Sequence, residues 1–330
     1  MMCIFRRIIC VSALEKKFGK HQDELVKLYL EGRAESTFKQ YNGAYKRWVK
    51  FIRKEKTDEV VTESLVGKYL MALEKDGAGE GSVHQFMAMM SVLNEVQEDM
   101  PWLGSGVISQ VKKAVVKRMN SRKKRKLRLS MTKKHMFVWI QEMFKKDEKS
   151  LEDKRLFAVV ACMFFCIKRF SDVIQWKLEN ITWKSDGSIV IIQPVSKTDQ
   201  VGKGSVIRIP RGRKGKVGPA EILKWYLEGQ EIPSEGFLFP VLRASRQGVV
   251  SWWKKAVGYD TIRKQFKNMC VELKLPLLDI HSCRIGAASE STRLGARRDV
   301  VKEVGGWKSA AVDLYVRPEE PLAQVVDLLT

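Results

Sequence analysis

Histidine is scarce in this chain: four among 330 residues, at positions 21, 84, 135 and 281. Cysteine is almost as sparse, six residues without a CxxC pair. No zinc module can be assembled from such spacing. No disulfide framework is visible either, so we expect a reduced, intracellular setting. Long apolar runs are missing. The longest, LFAVVACMFFCI at 156–167, has 12 residues, against the roughly 20 of a membrane-spanning helix. It reads as a buried helix. The N-terminal MMCIFRRIICVSAL is broken by Arg6 and Arg7, whereas a secretory signal carries its charges ahead of its apolar region. No P-loop is present. Acidic residues are in deficit, 38 Asp and Glu against 60 Lys and Arg, for a net charge of +22. That surplus says little about fold and much about partners, because a positive field recruits polyanions. Nucleic acid is the first expectation and an anionic membrane surface the second.

What is present reads as a mainly α protein with a small β-sheet. With 45% hydrophobic and 30% charged residues, the chain is globular and long enough for two domains. After a tail at 1–20, residues 21–120 carry apolar stripes at helical spacing. Ser36-Thr37 is expected to cap a helix holding Phe38, Tyr41, Tyr45 and Trp48. Thr62 starts a second helix, which Gly77 and Gly79 end. Ser82 to Val96 and Val107 to Met119 make two more. These stripes predict a small bundle core.

Composition then shifts. SRKKRKLRLS at 121–130 carries Arg122, Lys123, Lys124, Arg125, Lys126 and Arg128. We read it as an interdomain linker; a nuclear import signal and a strand lying along phosphate are compatible further roles. Residues 131–330 read as a mixed domain. Helices are expected at Met131–Phe144 and Leu151–Ile167. Two β-rich runs, 188–195 and 204–210, are joined by SKTDQVGK and predict a hairpin. A second basic cluster follows, with Arg211, Arg213 and Lys214. Pro219 begins a helix through Leu227, and Asp260 is expected to cap another to Leu273. Beyond Ile280 the pattern is helical. Leu322, Val325, Val326 and Leu329 line one face of a short helix over 319–329.

Several residues have both a structural and a chemical reading. Arg169 follows a buried helix, where a cation suits the negative helix end. Lys197 sits in the predicted hairpin turn, where lysines usually face solvent. His281 and Arg284 lie three apart on one helix face, as capping groups or as a phosphate clamp. Trp307 and Tyr315, in GGWKSAAVDLYV, would ordinarily fill a core.

Their order along the chain resembles the tyrosine recombinase (phage integrase) family. Arg169-Phe170-Ser171-Asp172 resembles its first arginine box, with Asp where Glu is more usual. Lys197 in VSKTD is similar to the turn lysine. His281 and Arg284 match HxxR. Trp307 falls where members carry histidine or tryptophan, and Tyr315 falls on the nucleophile. HSCRIGAAS and GGWKSAAVDLYVR are most similar to the crypton and DIRS recombinases of eukaryotic mobile elements. Three departures stand out: Lys168 precedes Arg169 where an apolar residue is common, Cys283 sits inside HxxR, and only eight residues separate Trp307 from Tyr315.

The resemblance implies an N-terminal helical core-binding domain and an α+β catalytic domain, closing as a clamp around double-stranded DNA. It implies a site-specific recombinase that breaks and rejoins strands through a 3′-phosphotyrosine link, with no cofactor and no metal. Arg169 and Arg284 would fork onto the non-bridging phosphate oxygens. His281 would bind phosphate or accept the tyrosine proton, and Lys197 would be the acid to the departing 5′ oxygen. Trp307 would donate its indole N–H, Asp172 would orient the basic groups, and Tyr315 would attack. The implied assembly is a tetramer on two DNA sites, with tail helices docked between protomers, and the implied location is nuclear. Two further readings use the same residues: a domesticated DNA-binding protein without strand exchange, and a type IB topoisomerase-like enzyme.

Overall fold

The computed structural model describes residues 24, 28, 31–55, 61–97, 100–122, 129–145, 149–194, 199, 204–245 and 248–316. Lys123, Lys124, Arg125, Lys126, Arg128 and Lys197 lie outside the described residues, as do the tail at 1–20 and the helix expected at 319–329. The chain divides into two compact units between Lys126 and Leu127.

Four helices build the first unit: α1 (Glu35–Glu55), α2 (Glu63–Lys75), α3 (Glu80–Gln97) and α4 (Gly106–Arg122). α1 packs on α3 and α2 on α4. Aromatic rings fill the centre, with Trp48 edge-on to Tyr69 at 5.1 Å and Tyr69 edge-on to Phe86 at 4.5 Å. Thr62 caps α2 as expected, its Oγ accepting the Leu65 N–H at 3.2 Å. Ser36 and Thr37 do not cap α1. The helix begins one residue earlier, at Glu35, whose carboxylate suits the positive helix end. Arg122 closes α4 inside the stretch read as linker, and it pairs with Glu74 at 3.0 Å.

The second unit is built around α6 (Leu151–Phe165), in which every residue from Arg155 to Phe164 is buried. That continuous run is the 12-residue apolar stretch: a helix covered on all sides needs no polar face. α5 (Lys133–Met143), α8 (Pro219–Leu227), α9 (Tyr259–Glu272) and α10 (Ile280–Arg293) pack against it. α8 has the bounds read from Pro219 and Leu227. Asp260 lies in the first turn of α9 and does not cap it; Gly258 occupies that position.

The expected hairpin is present as β2 (Ile189–Gln193) and β3 (Ser205–Ile209), antiparallel and paired out to Gln193 opposite Ser205. Two features are additional to the sequence reading. β1 (Ile181–Trp183) pairs with β2 to make a three-stranded sheet. A separate hairpin joins β4 (Pro240–Ser245) and β5 (Gly248–Ala256). Both were hidden by short length or by the lack of strict alternation on an exposed ribbon.

Close packing fixes where α10 sits. A Cβ on Gly286 would lie 1.8 Å from the Met131 carbonyl oxygen, and the Met131 N–H donates to the Ser282 carbonyl at 3.0 Å. The chain entering α5 thus lies directly on α10. Gly286→Ala should cost at least ~3 kcal/mol, since neither backbone can yield. Urea unfolding of the variant checks this; a loss below 1 kcal/mol would be inconsistent with the packing.

α5 begins with a capping box that uses histidine. The His135 N–H donates to Thr132 Oγ at 3.3 Å, and His135 Nδ1 accepts the Thr132 N–H at 3.2 Å. Burial lowers the imidazole pKa from 6.5, with the Glu290 charge opposing. Protonation removes the accepting lone pair, so this contribution is complete above pH 6.5 and is lost as pH falls through the lower folded value. Glutamine can make the same reciprocal pair without titrating. His135→Gln should therefore narrow the Tm difference between pH 7.5 and pH 5 by about 2–4 °C, the equivalent of one cap. Scanning calorimetry at the two pH values measures it.

Candidate active site

α6 ends in a turn that sets the first part of the site. The Ile167 N–H donates to Phe164 O at 3.3 Å and the Lys168 N–H to Met163 O at 3.2 Å, a Schellman closure. The left-handed position is normally glycine, yet Ile167 holds it at φ 52°. A β-branched residue there is strained by roughly 1–3 kcal/mol. The turn delivers Lys168 and then Arg169, which caps α7 (Phe170–Val173). Arg169 Nη1 lies 3.5 Å from the carboxylate of Asp172, and both are largely buried.

α11 (Arg298–Gly305) closes in the same way, with Gly306 left-handed at φ 67° and the Trp307 N–H donating to Lys302 O at 3.0 Å. A Cβ on Gly305 would lie 1.9 Å from Trp307 Cζ3. The first glycine makes room for the indole and the second turns the chain. A 3₁₀ helix at Ala310–Leu314 follows, with Tyr315 as its C-cap. The Ser289 hydroxyl donates to the Tyr315 carbonyl at 3.0 Å, and an Arg298–Asp313 ion pair ties the 3₁₀ turn to α11.

Arg284 sits between these turns, on α10, and is completely buried. Nη1 donates to the Ile167 carbonyl at 2.7 Å and Nη2 to the Gly305 carbonyl at 2.8 Å. Its guanidinium carbon lies 3.8 Å from the Trp307 ring centre and 5.4 Å from that of Tyr315. Desolvation lowers its pKa to about 10, aided by Arg169 and opposed by Tyr315 and Asp172. His281 meets Tyr315 edge-on at 5.3 Å, and Trp307 packs on Tyr315 at 4.9 Å. Helix capping at α10 belongs to Asp279 and Ser282, in a capping box, and not to His281 or Arg284.

Six residues singled out in the sequence therefore share one place: Arg169, Asp172, His281, Arg284, Trp307 and Tyr315. Arg284 is held differently from the expected open fork, because two of its five donors are committed to backbone carbonyls. Its Nε, and Trp307 Nε1, are buried with no acceptor among the described residues. Buried donors of this kind are costly unless a ligand supplies the acceptor. Arg169, Lys168 and Arg284 face one carboxylate, Asp172, so the pocket carries excess positive charge beside a phenol. Sequence reading treated Lys168 only as a departure from pattern and did not single out Ser289; a hydroxyl one turn beyond the HxxR segment was the available signal. In the second basic cluster, Arg211 is exposed but pairs with Glu221 at 3.5 Å, whereas Arg213 and Lys214 are exposed at a turn. Among the described residues no group of acidic, histidine and cysteine side chains could hold a metal.

No family model and no curated relative match the chain. Solved structures do. The XerH site-specific recombinase bound to palindromic difH substrate, a post-cleavage complex, is similar with a TM-score of 0.61 at 13% identity, covering 98% of this chain and 88% of that one. The Tn1549 transposon integrase in complex with circular intermediate DNA gives 0.58 at 10%, covering 99% and 98%. A lambda integrase dimer bound to a COC′ core site gives 0.53 at 16%, covering 89% and 93%. The chain has the tyrosine recombinase fold, mostly helical with small antiparallel sheets.

The Gly305 contact yields a direct check. Gly305→Ala should push the Trp307 ring off Arg284, cost about 2 kcal/mol or more, and raise acrylamide quenching of tryptophan fluorescence. The added quenching should vanish when Trp307→Phe is combined with it. Unchanged quenching in the single variant would contradict the packing.

Proposed function

We propose that this chain is a site-specific DNA recombinase that breaks and rejoins DNA through a 3′-phosphotyrosine link. One observation carries the reading. Tyr315 lies against a buried arginine, an indole and an imidazole that come from distant parts of the chain. Core packing alone gives no reason to place a charged guanidinium without a counter-ion under a phenol.

The chemistry follows from what each group can do. A phosphodiester repels nucleophiles because it is anionic, and a phenol with pKa about 10 is mostly protonated at neutral pH. Arg169 binds a non-bridging oxygen through its free donors. Arg284 supplies charge from below and the unpartnered Nε–H, and Trp307 supplies its indole N–H. These donors stabilise the pentacoordinate transition state more than the ground state. His281 accepts the Tyr315 proton as the phenolic oxygen attacks phosphorus. Lys197 protonates the departing 5′ oxygen. The new phosphotyrosine conserves the energy of the broken ester, so a 5′-hydroxyl from another strand re-forms DNA without ATP. Asp172 holds Arg169 in place.

DNA binding rests on the excess of positive charge, with Arg213 and Lys214 exposed in the second unit and the 121–130 run as further phosphate contacts. Affinity should fall steeply with salt. On this reading the biological setting is a eukaryotic mobile element of crypton or DIRS type, acting in the nucleus as a tetramer on two DNA sites.

The test is covalent capture. A pool of nicked random-sequence duplexes is incubated in EDTA, and DNA surviving detergent on the protein is recovered. Wild type should retain DNA, and Tyr315→Phe should lose the adduct completely while binding DNA equally in a gel shift. Binding without any adduct would leave a DNA-binding protein. Adducts with supercoil relaxation but no strand exchange would point to a topoisomerase-like enzyme.

A further inference from the structure

The excess charge beside Tyr315 is not accounted for by the groups already given roles. Lys168 follows the strained Ile167 turn and precedes Arg169, and its ammonium is largely removed from water. Burial lowers its pKa first of all. Cys166 and Asp172 attract the charge, while Arg284 and Arg169 repel it. Those couplings place the ammonium in the same pocket as both arginines. Asp172 is already engaged by Arg169 at 3.5 Å, and Cys166, fully buried with its thiol pushed up to about 12, is neutral. Lys168 thus makes no hydrogen bond or ion pair among the described residues. Three cations face one carboxylate.

A packed interior does not retain an ammonium next to two guanidinium groups unless an anion completes the set. The backbone is also bent to deliver it. The left-handed turn at Ile167 both aims its carbonyl at Arg284 and sets the direction in which Lys168 leaves α6. Arg284, meanwhile, has two donors turned to backbone, so the pocket has fewer donors for a phosphate than two open arginine forks would give.

We propose that Lys168 is a catalytic residue of this site: its ammonium contacts a non-bridging oxygen of the scissile phosphate beside Arg169 and neutralises the charge that builds in the transition state. This rests on the recombinase reading above. The role is electrostatic. No proton leaves Lys168 during the step, and the proton for the 5′ oxygen comes from elsewhere.

The experiment compares Lys168→Met, which keeps the length and apolar packing of the side chain, with Lys168→Arg and wild type. Captured target DNA is remade with three scissile groups: the ordinary phosphate, a methylphosphonate lacking one anionic oxygen, and a 5′-bridging phosphorothiolate whose sulfur leaves without protonation. On phosphate, Lys168→Met should lower the cleavage rate about 100-fold, the usual size for losing one transition-state donor, and Lys168→Arg should restore most of it. On the methylphosphonate the gap should shrink to under 10-fold, because less charge needs neutralising. On the phosphorothiolate the roughly 100-fold gap should persist. Rescue by sulfur would overturn the electrostatic role in favour of proton donation. Wild-type rates in Lys168→Met, or equal loss on all three substrates, would overturn the proposal outright.

Thermal unfolding supplies a readout that does not depend on catalysis. Removing a desolvated, unpaired charge should raise the Tm of Lys168→Met, whereas a merely structural lysine would lower it. Inorganic vanadate should raise the Tm of wild type more than that of Lys168→Met. Equal shifts would overturn the proposed anion contact even if no adduct ever formed. Wild type forming no adduct on any substrate would instead defeat the recombinase reading.

Discussion

The second unit is organised around a cation that has no water and no direct carboxylate partner. Arg284 is completely buried, and its two terminal nitrogens are bound to backbone carbonyls at the ends of two different helices. Moving a guanidinium out of water costs several kcal/mol even after relaxation. Here the cost is offset by two short hydrogen bonds to carbonyls that helix ends leave unpaired, and by two aromatic faces whose quadrupoles attract a cation. The same contacts bring the ends of α6 and α11 and the segment holding Tyr315 to one point. Geometry around the phenol is therefore a by-product of satisfying one buried charge.

That arrangement explains where unusual backbone occurs. Both helices contributing carbonyls end in left-handed turns, at Ile167 and at Gly306. Glycine takes that conformation without strain; isoleucine does not. Ile167 is tolerated because the Met163, Phe164 and Arg284 contacts over-determine it. Strain held by its surroundings is commonest where a side chain must be aimed, and the residues aimed here are Lys168 and Arg169.

Much of this was legible in the sequence, and the reasons differ by feature. Helices with a buried stripe or a strong stop were readable: α2 from Thr62 to Gly77, and α8 from Pro219 to Leu227. Their ends are set by local chemistry. Caps dominated by charge, as at Glu35 and Asp260, were misread because a helix start is ambiguous among adjacent polar residues. β1 and the β4–β5 ribbon were not visible, since three residues carry no period and an exposed ribbon need not alternate. For the site, the spacing of Arg169, His281, Arg284, Trp307 and Tyr315 gave the residues. It could not show that Arg284 is buried, with two donors committed to backbone. It could not show the meaning of Lys168 either, because burial and charge balance belong to tertiary packing. Lys197 was read from the turn between β2 and β3 and falls outside the described residues.

The free pocket is poised in a specific energetic sense. Trp307 Nε1 and Arg284 Nε are buried donors without acceptors, Lys168 is a desolvated ammonium, and Ile167 is strained. Each raises the energy of the unliganded unit, and each is relieved by one kind of ligand: a compact anion with several acceptor oxygens. Groups that are unsatisfied before binding favour the state in which charge is greatest, because their interactions strengthen as that charge grows. A phosphodiester under attack gathers negative charge on its non-bridging oxygens, whereas a bound ground-state phosphate carries less. A pocket built this way gains more from the transition state than from the substrate. Stability forgone in the free protein and rate gained in the reaction then have one structural source, the uncompensated cations beside Tyr315.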